Sequence, residues 1–283
     1  DKRFVTDFWP GVGSWVSNQS SRGNISTNFH TLASPFSWNF EALDRTGFLP
    51  GKTRARIVAP RLARPPAMDG AASDASWSGL PWVDVPDVSL GKTQAATRMR
   101  LGYDDKNLYV AFLCEEPKMD EMVVKEYGHD GPVFNTECME IFLAPDGVGQ
   151  KRVQICVSPT PQGRWEGRYG YIDDPLDPIA LSGKPDVSWN PQYRTAYRID
   201  RAAKKWTVEI AMPFEELGVS APALGTRWRG NFGRERHLRL WDPKKYDGQS
   251  EYSLWSPNLQ GATFTDPAAF GDIYFGAVPP EGK

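Results

Sequence analysis

The chain has 283 residues, with 33 Lys and Arg against 35 Asp and Glu and a formal charge of −2. That balance excludes a strongly basic nucleic-acid binder and gives no electrostatic reason to expect a membrane surface as partner. Hydrophobic residues at 40% and charged residues at 24% suit a soluble globular protein with a real core, and no run approaches the roughly eighteen unbroken apolar residues of a membrane span.

Gly and Pro number 26 and 24, together about 18% of the chain against roughly 12% in average usage, which favours turns and short strands over long helices. Aromatics stand out, with 11 Trp, 10 Tyr and 14 Phe. The three cysteines, Cys114, Cys138 and Cys156, each lie in an apolar run. Their odd number and context predict buried small hydrophobes rather than a disulfide framework. The chain opens at Asp1 with neither a charged n-region nor an apolar h-region. It reads as a processed product from which any export signal is already gone, and a secreted or cell-envelope location is the expectation.

Residues 1–65 read as an irregular, aromatic-rich N-terminal extension and linker. Phe4, Trp9, Trp15, Phe36 and Trp38 stand among Ser, Asn and Gly with little periodicity, so they order only by packing on something else. Lys52 to Pro66, basic and proline-punctuated, reads as a linker or an edge strand. From residue 66 to 278 the pattern is β. Thr97 to Leu101, the turn Asp104-Asp105-Lys106-Asn107 and the run Leu108 to Cys114 read as a hairpin. Glu140 to Ala144 precedes the turn Pro145-Asp146-Gly147, and Arg152 to Ser158 alternates Val153, Ile155 and Val157 with polar or small residues. Arg194 to Asp200 and Lys205 to Met212 form a second hairpin. Pro213 to Gly218 is a single helical turn ended by its glycine. Trp228 to Arg236 and Asp272 to Phe275 supply late strands. Short strands without βαβ alternation predict an all-β, antiparallel β-sandwich of immunoglobulin or jelly-roll type.

Enzyme signatures are sparse: there is no GxSxG elbow, no P-loop and no HExxH, and His30, His129 and His237 are far apart. Carboxylate pairs such as Glu137 with Glu140 exist, but sequence does not set the separation a glycosidase needs. The acidic loop Asp173, Asp174 and Asp177 is a candidate calcium site, because calcium takes several carboxylate and carbonyl oxygens; the turn Asp104-Asp105 is a second. Aromatic rings bury the flat C–H faces of sugars while polar neighbours hold the hydroxyls. Trp165, Tyr169 and Tyr171, near-alternate in a Gly-rich stretch, are candidates for that role, whereas Trp206 belongs to the core.

The ordered motifs resemble family-nine-like carbohydrate-binding modules, antiparallel β-sandwiches attached to secreted polysaccharide-degrading enzymes. Met68-Asp69-Gly70 with Asp74 and Trp77 is similar to the family's opening. Tyr103 to Val110 resembles its "D…LYV" pair, Cys138 to Leu143 its "VEIF" strand, and Gln154 to Val157 the strand after it. Trp206 to Pro213 and Phe264-Thr265-Asp266-Pro267 with Phe270-Gly271 complete the series. In the xylan-associated branch two tryptophans clamp a terminal sugar. The matching positions here are Phe134 and Phe264, the hydroxyl-binding glutamate is Glu140, and an arginine is replaced by Cys156. The blocks Trp228 to Arg234 and Tyr252 to Pro257 place the chain closer to a less characterised bacterial branch.

The resemblance implies non-catalytic binding of plant or microbial polysaccharide or oligosaccharide, supporting its degradation. Phe134, Glu140 and Phe264 are the first site candidates, with Arg234, Trp255, Trp165 and Tyr169 as auxiliaries. Arginine suits such a site because its planar fork bonds vicinal hydroxyls or a uronate. A glycoside hydrolase or polysaccharide lyase on the same sandwich is the alternative, as is an interaction domain with a decayed sugar site. The expected partner is a carbohydrate rather than nucleic acid or membrane, with calcium as a structural ion; the sequence leaves the oligomeric state open.

Overall fold

The structure is a computed structural model. It describes residues 55–88, 92–173, 176–179, 183–242, 247–257 and 264–279, without the side chains of 239–249. Among the described residues the strands form two sheets. The first runs β1 (Arg56–Ala59), β12 (Gly271–Phe275), β10 (Arg227–Asp242), β5 (Cys138–Ala144), β6 (Arg152–Val157), β7 (Arg164–Tyr169), with β11 (Asp247–Leu254) also on β10. The second runs β2 (Val83–Asp84), β3 (Thr97–Tyr103), β4 (Asn107–Glu115), β9 (Lys205–Pro213), β8 (Arg194–Asp200). Pairing is antiparallel except between β1 and β12. Helix among the described residues is confined to short turns, including 3₁₀ turns at Val133–Asn135 and Glu215–Leu217. The expected all-β sandwich is the observed fold. Arg56–Ala59, within the stretch read as linker or edge strand, is an edge strand.

Local chemistry explains the elements. Asp104 Oδ1 accepts the Lys106 and Asn107 amides, turning the chain between β3 and β4. Gly218, at φ +70°, ends the turn after β9, and its N–H bonds the Glu215 carbonyl. Side chains alternate between the faces of each strand. Met139, Ile141, Leu143, Val153, Ile155, Phe232 and Ile273 point inward from the seven-stranded sheet, and Met99, Leu101, Val110, Phe112, Trp206, Val208 and Ile210 meet them from the other. Cys114, Cys138 and Cys156 are free, buried thiols, as the sequence predicts.

The opening motif covers the outer face of the five-stranded sheet. Trp77 is fully buried, and its indole Nε1 donates to Glu209 Oε1 at 2.6 Å. The Gly70 amide donates to Glu209 Oε2 at 2.6 Å. Gly70 is required twice over: φ is +78°, and a Cβ there would stand 2.5 Å from the Tyr197 backbone.

Candidate carbohydrate-binding face

The outer face of the seven-stranded sheet holds the sequence-predicted residues that the fold brings together. Strand register aligns Leu254, Gly233, Glu140, Cys156 and Trp165 in one row across β11, β10, β5, β6 and β7. Glu140 is therefore central. On one side, Gly233 leaves room for a ring: a Cβ there would lie 2.5 Å from Phe264. On the other, Trp165 follows Cys156, and Phe134 packs edge-on against Trp165 with ring centroids 6.3 Å apart. Two aromatic groups thus flank one carboxyl.

The two phenylalanines differ in exposure. Phe134 is 38% exposed, on the 3₁₀ turn before β5. Phe264 is 8% exposed and sits among Phe142, Leu254 and Phe270, with its ring edge-on to the 38%-exposed Tyr252 at 6.1 Å. Phe264 is part of an outer-face cluster that supports Tyr252, while Phe134 presents ring surface outward.

Beneath the rings lies a polar floor. Gln154 Nε2 donates to Glu140 Oε2 at 2.8 Å, and Tyr169 donates its hydroxyl to Gln154 Oε1 at 2.8 Å. Burial pushes the Glu140 carboxyl well above the usual carboxylate range, reinforced by a hydrogen bond and like charge from Glu235, which burial also raises. Glu235 Oε2 also lies 3.3 Å from His237 Nε2, and burial lowers the imidazole's proton affinity. Burial pushes the Tyr169 hydroxyl up to about 12, so it stays a donor, and Arg152 stacks on its ring at 4.2 Å.

Arg234 and Trp255 do not belong to this face. Arg234 points inward, 1% exposed, donating to Glu137 Oε1 at 2.7 Å, Glu116 Oε2 at 3.2 Å and the Glu115 carbonyl at 2.9 Å. Its position two residues along from Phe232 on β10 gives it the core-facing side. Trp255 follows the end of β11 and packs in the core against Phe232 at 5.6 Å. Neither faces the surface as an auxiliary sugar ligand would. Gln154, Glu235, Tyr252 and His237 were not singled out in the sequence. The period-two pattern of β11 was the available signal for Tyr252, since residue 252 shares a face with Leu254.

The acidic loop is described only in part. Asp173 is exposed with Lys151 Nζ at 3.8 Å, Asp177 Oδ1 accepts the Ile179 amide, and Asp174 lies outside the described residues. Among the described residues, His129, Asp130 and Glu166 offer ligand atoms within 4.8 Å of one another. Glu166 is already engaged there. Its Oε2 meets His129 Nε2 at 2.7 Å, while Oε1 accepts the Tyr193 hydroxyl and faces Arg164 Nε at 3.2 Å. A cation at that spot would meet a guanidinium, so the cluster reads as an ion-pair network.

The chain is similar to known carbohydrate-binding proteins in sequence family and in fold. Residues 68–156 match the family described as Carbohydrate family 9 binding domain-like. No curated protein sequence matches the chain. A Bacteroides uniformis protein proposed to bind carbohydrate shares the fold at TM-score 0.57 and 14% identity, covering 79% of this chain and 100% of its own. A family 9 carbohydrate-binding module from Caldicellulosiruptor kristjanssonii is similar in its glucose complex, at TM-score 0.53 and 16% identity over 81% of this chain and 99% of that one. In its cellotriose complex the values are 0.52 and 17%, over 81% and 100%. Residues 68–156 thus resemble the family described as Carbohydrate family 9 binding domain-like, and the described sandwich has the fold of family 9 modules.

Proposed function

We propose that the chain binds oligosaccharide or polysaccharide on the outer face of the seven-stranded sheet, without chemistry, in support of polysaccharide degradation outside the cytoplasm. The observation that carries this reading is the central Glu140 carboxyl, flanked by Phe264 over Gly233 on one side and by Trp165 with Phe134 on the other. Rings bury C–H faces, and the carboxyl, amide and phenol of the floor hold hydroxyls. The two indoles of the xylan-associated branch are replaced by phenylalanines, so the ligand is gripped by Phe134 with Trp165 on one side and by Tyr252, supported by Phe264, on the other.

The hydrolase alternative is opposed by the same floor. Burial raises the proton affinity of both Glu140 and Glu235, so this floor does not offer the ionised base or nucleophile that a glycosidase pairs with its acid. Calorimetry with glucose and cellotriose, beside an assay for new reducing ends, tests the proposal. Saturable binding without product is expected. Product formation, or no heat with either sugar and a panel of plant glycans, would overturn it.

A further inference from the structure

The opposite face of the molecule holds a separate groove. A cavity of about 490 Å³ opens on the outer face of the five-stranded sheet, where Leu113 and Thr207 form its middle and Arg100, Arg198, Lys205 and Trp82 line its sides. A second hollow of about 490 Å³ shares Leu113 and Lys205 and adds Arg98 and Lys204. Register explains the continuity. Arg98, Leu113, Thr207 and Arg198 form one row across β3, β4, β9 and β8, and Glu115, Lys205 and Asp200 the next. Short side chains in the centre make a trough, and long cations stand at its sides.

The charges are uneven and partly unanswered. Five cations line the two hollows against Asp200 and Glu115. Glu115 is taken by Arg98 at 3.2 Å, and Asp200 Oδ1 caps the Ala203 amide. Among the described residues, Arg198 and Lys205 form no ion pair or side-chain hydrogen bond. Arg100 is only 6% exposed, held by the Trp77 and Ala72 carbonyls and lying 4.1 Å from the Trp82 ring centroid. Its Nε is nevertheless buried without an acceptor. Trp82 supplies a partly exposed ring, and Ser73 and Ser78 supply hydroxyls.

We infer that this groove is a second binding site, for an acidic oligosaccharide whose uronate carboxylates lie along Arg100, Arg198 and Lys205 while a sugar ring covers Trp82. The inference rests on the carbohydrate-binding reading but uses the other sheet, so the two fail separately. Trigalacturonate is the probe, titrated by calorimetry into the wild-type chain, into Arg198→Ala/Lys205→Ala and into the charge reversal Arg198→Glu. Both altered residues are surface positions, so folding is expected to persist, and cellotriose titration of each variant checks the other face.

The expected result is wild-type binding that weakens at least tenfold in 0.5 M salt and in both variants, with cellotriose binding unchanged; that salt response is characteristic of exposed charge pairs. Absence of wild-type binding to trigalacturonate, or equal binding by the variants, overturns the site. Inorganic sulfate competing as well as trigalacturonate overturns its assignment to a saccharide. Absence of wild-type binding to glucose, cellotriose and neutral plant glycans, with trigalacturonate still bound, overturns the first proposal and leaves this one standing.

Discussion

At the scale of single residues, exposure separates ligand-facing rings from supporting ones. Phe134→Ala removes a ring that is 38% exposed and packs edge-on against Trp165. We expect it to weaken cellotriose binding by about 1 to 3 kcal/mol, the scale of a hot-spot truncation, while leaving the thermal melt nearly unchanged. Phe264→Ala empties a cluster with Phe142, Leu254 and Phe270, so an unfolding cost of about 3 kcal/mol or more is expected from the cavity. Equal melts for the two variants would contradict that division. Gly70→Ala should be harsher still, because both the backbone angle and the 2.5 Å approach to Tyr197 forbid a Cβ. Chemical denaturation measures it, and a wild-type midpoint would show that the opening motif does not pin the loop. Phe134 and Glu140 were legible as candidates from the resemblance. Their surroundings were not, because whether a ring faces solvent depends on which neighbour across the sheet is a glycine.

At the scale of elements, β5 and β10 meet through two carboxyls, and their raised proton affinities make a pH prediction. Glu140 and Glu235 have folded-state proton affinities above their unfolded values. The folded chain then binds more protons than the unfolded chain, so their contribution to stability falls as pH rises above the ordinary carboxylate pKa, about 4.3. Glu235→Gln supplies an amide N–H to an ionised Glu140 and removes the like charge. It should stabilise the chain relative to wild type, with the difference growing from pH 5 upward until Glu140 is ionised in the wild type. Glu235 also neighbours His237, so the comparison is read most cleanly above pH 7, where the imidazole is neutral in both proteins. A difference that is flat with pH, from urea melts at pH 7, 8 and 9, would refute the raised proton affinities of the pair. Hairpins such as β3–β4 and β8–β9 were visible in sequence because the turn residues and the alternation are local. β7 was visible only as near-alternate aromatics: Gly167 interrupts its outer face, and Glu166, paired with Arg164 of the same strand, is buried by Tyr193 and His129, partners from other parts of the chain.

At the scale of the whole molecule, a buried charge cluster ties the two sheets together at one end of the sandwich. Arg234 of the seven-stranded sheet donates to Thr97 and to the Glu115 carbonyl of the other, and Trp206 of the five-stranded sheet donates to Glu137 at 3.0 Å. Arg236 completes it with Glu116, at 2.7 Å and 2.8 Å, and with Glu251 at 2.9 Å. Burial opposes ionisation of Glu116, but Arg236, the Lys118 amide and Arg234 together hold it below the usual range. Its contribution is therefore present above the ordinary carboxylate pKa and lost as pH falls through the lowered folded value. Removing one partner is worse than removing the pair, because it strands a charge where no water answers it. Arg234→Met should then cost about 3 to 5 kcal/mol, and Arg234→Met combined with Glu137→Gln should cost less than the single change. Urea denaturation of the two single variants and the double decides it: a double variant weaker than Arg234→Met by the full cost of Glu137→Gln alone would show that the two side chains act independently. Because neither residue touches the outer faces, the refolded double variant should bind cellotriose as wild type does, which separates loss of the clamp from loss of the site.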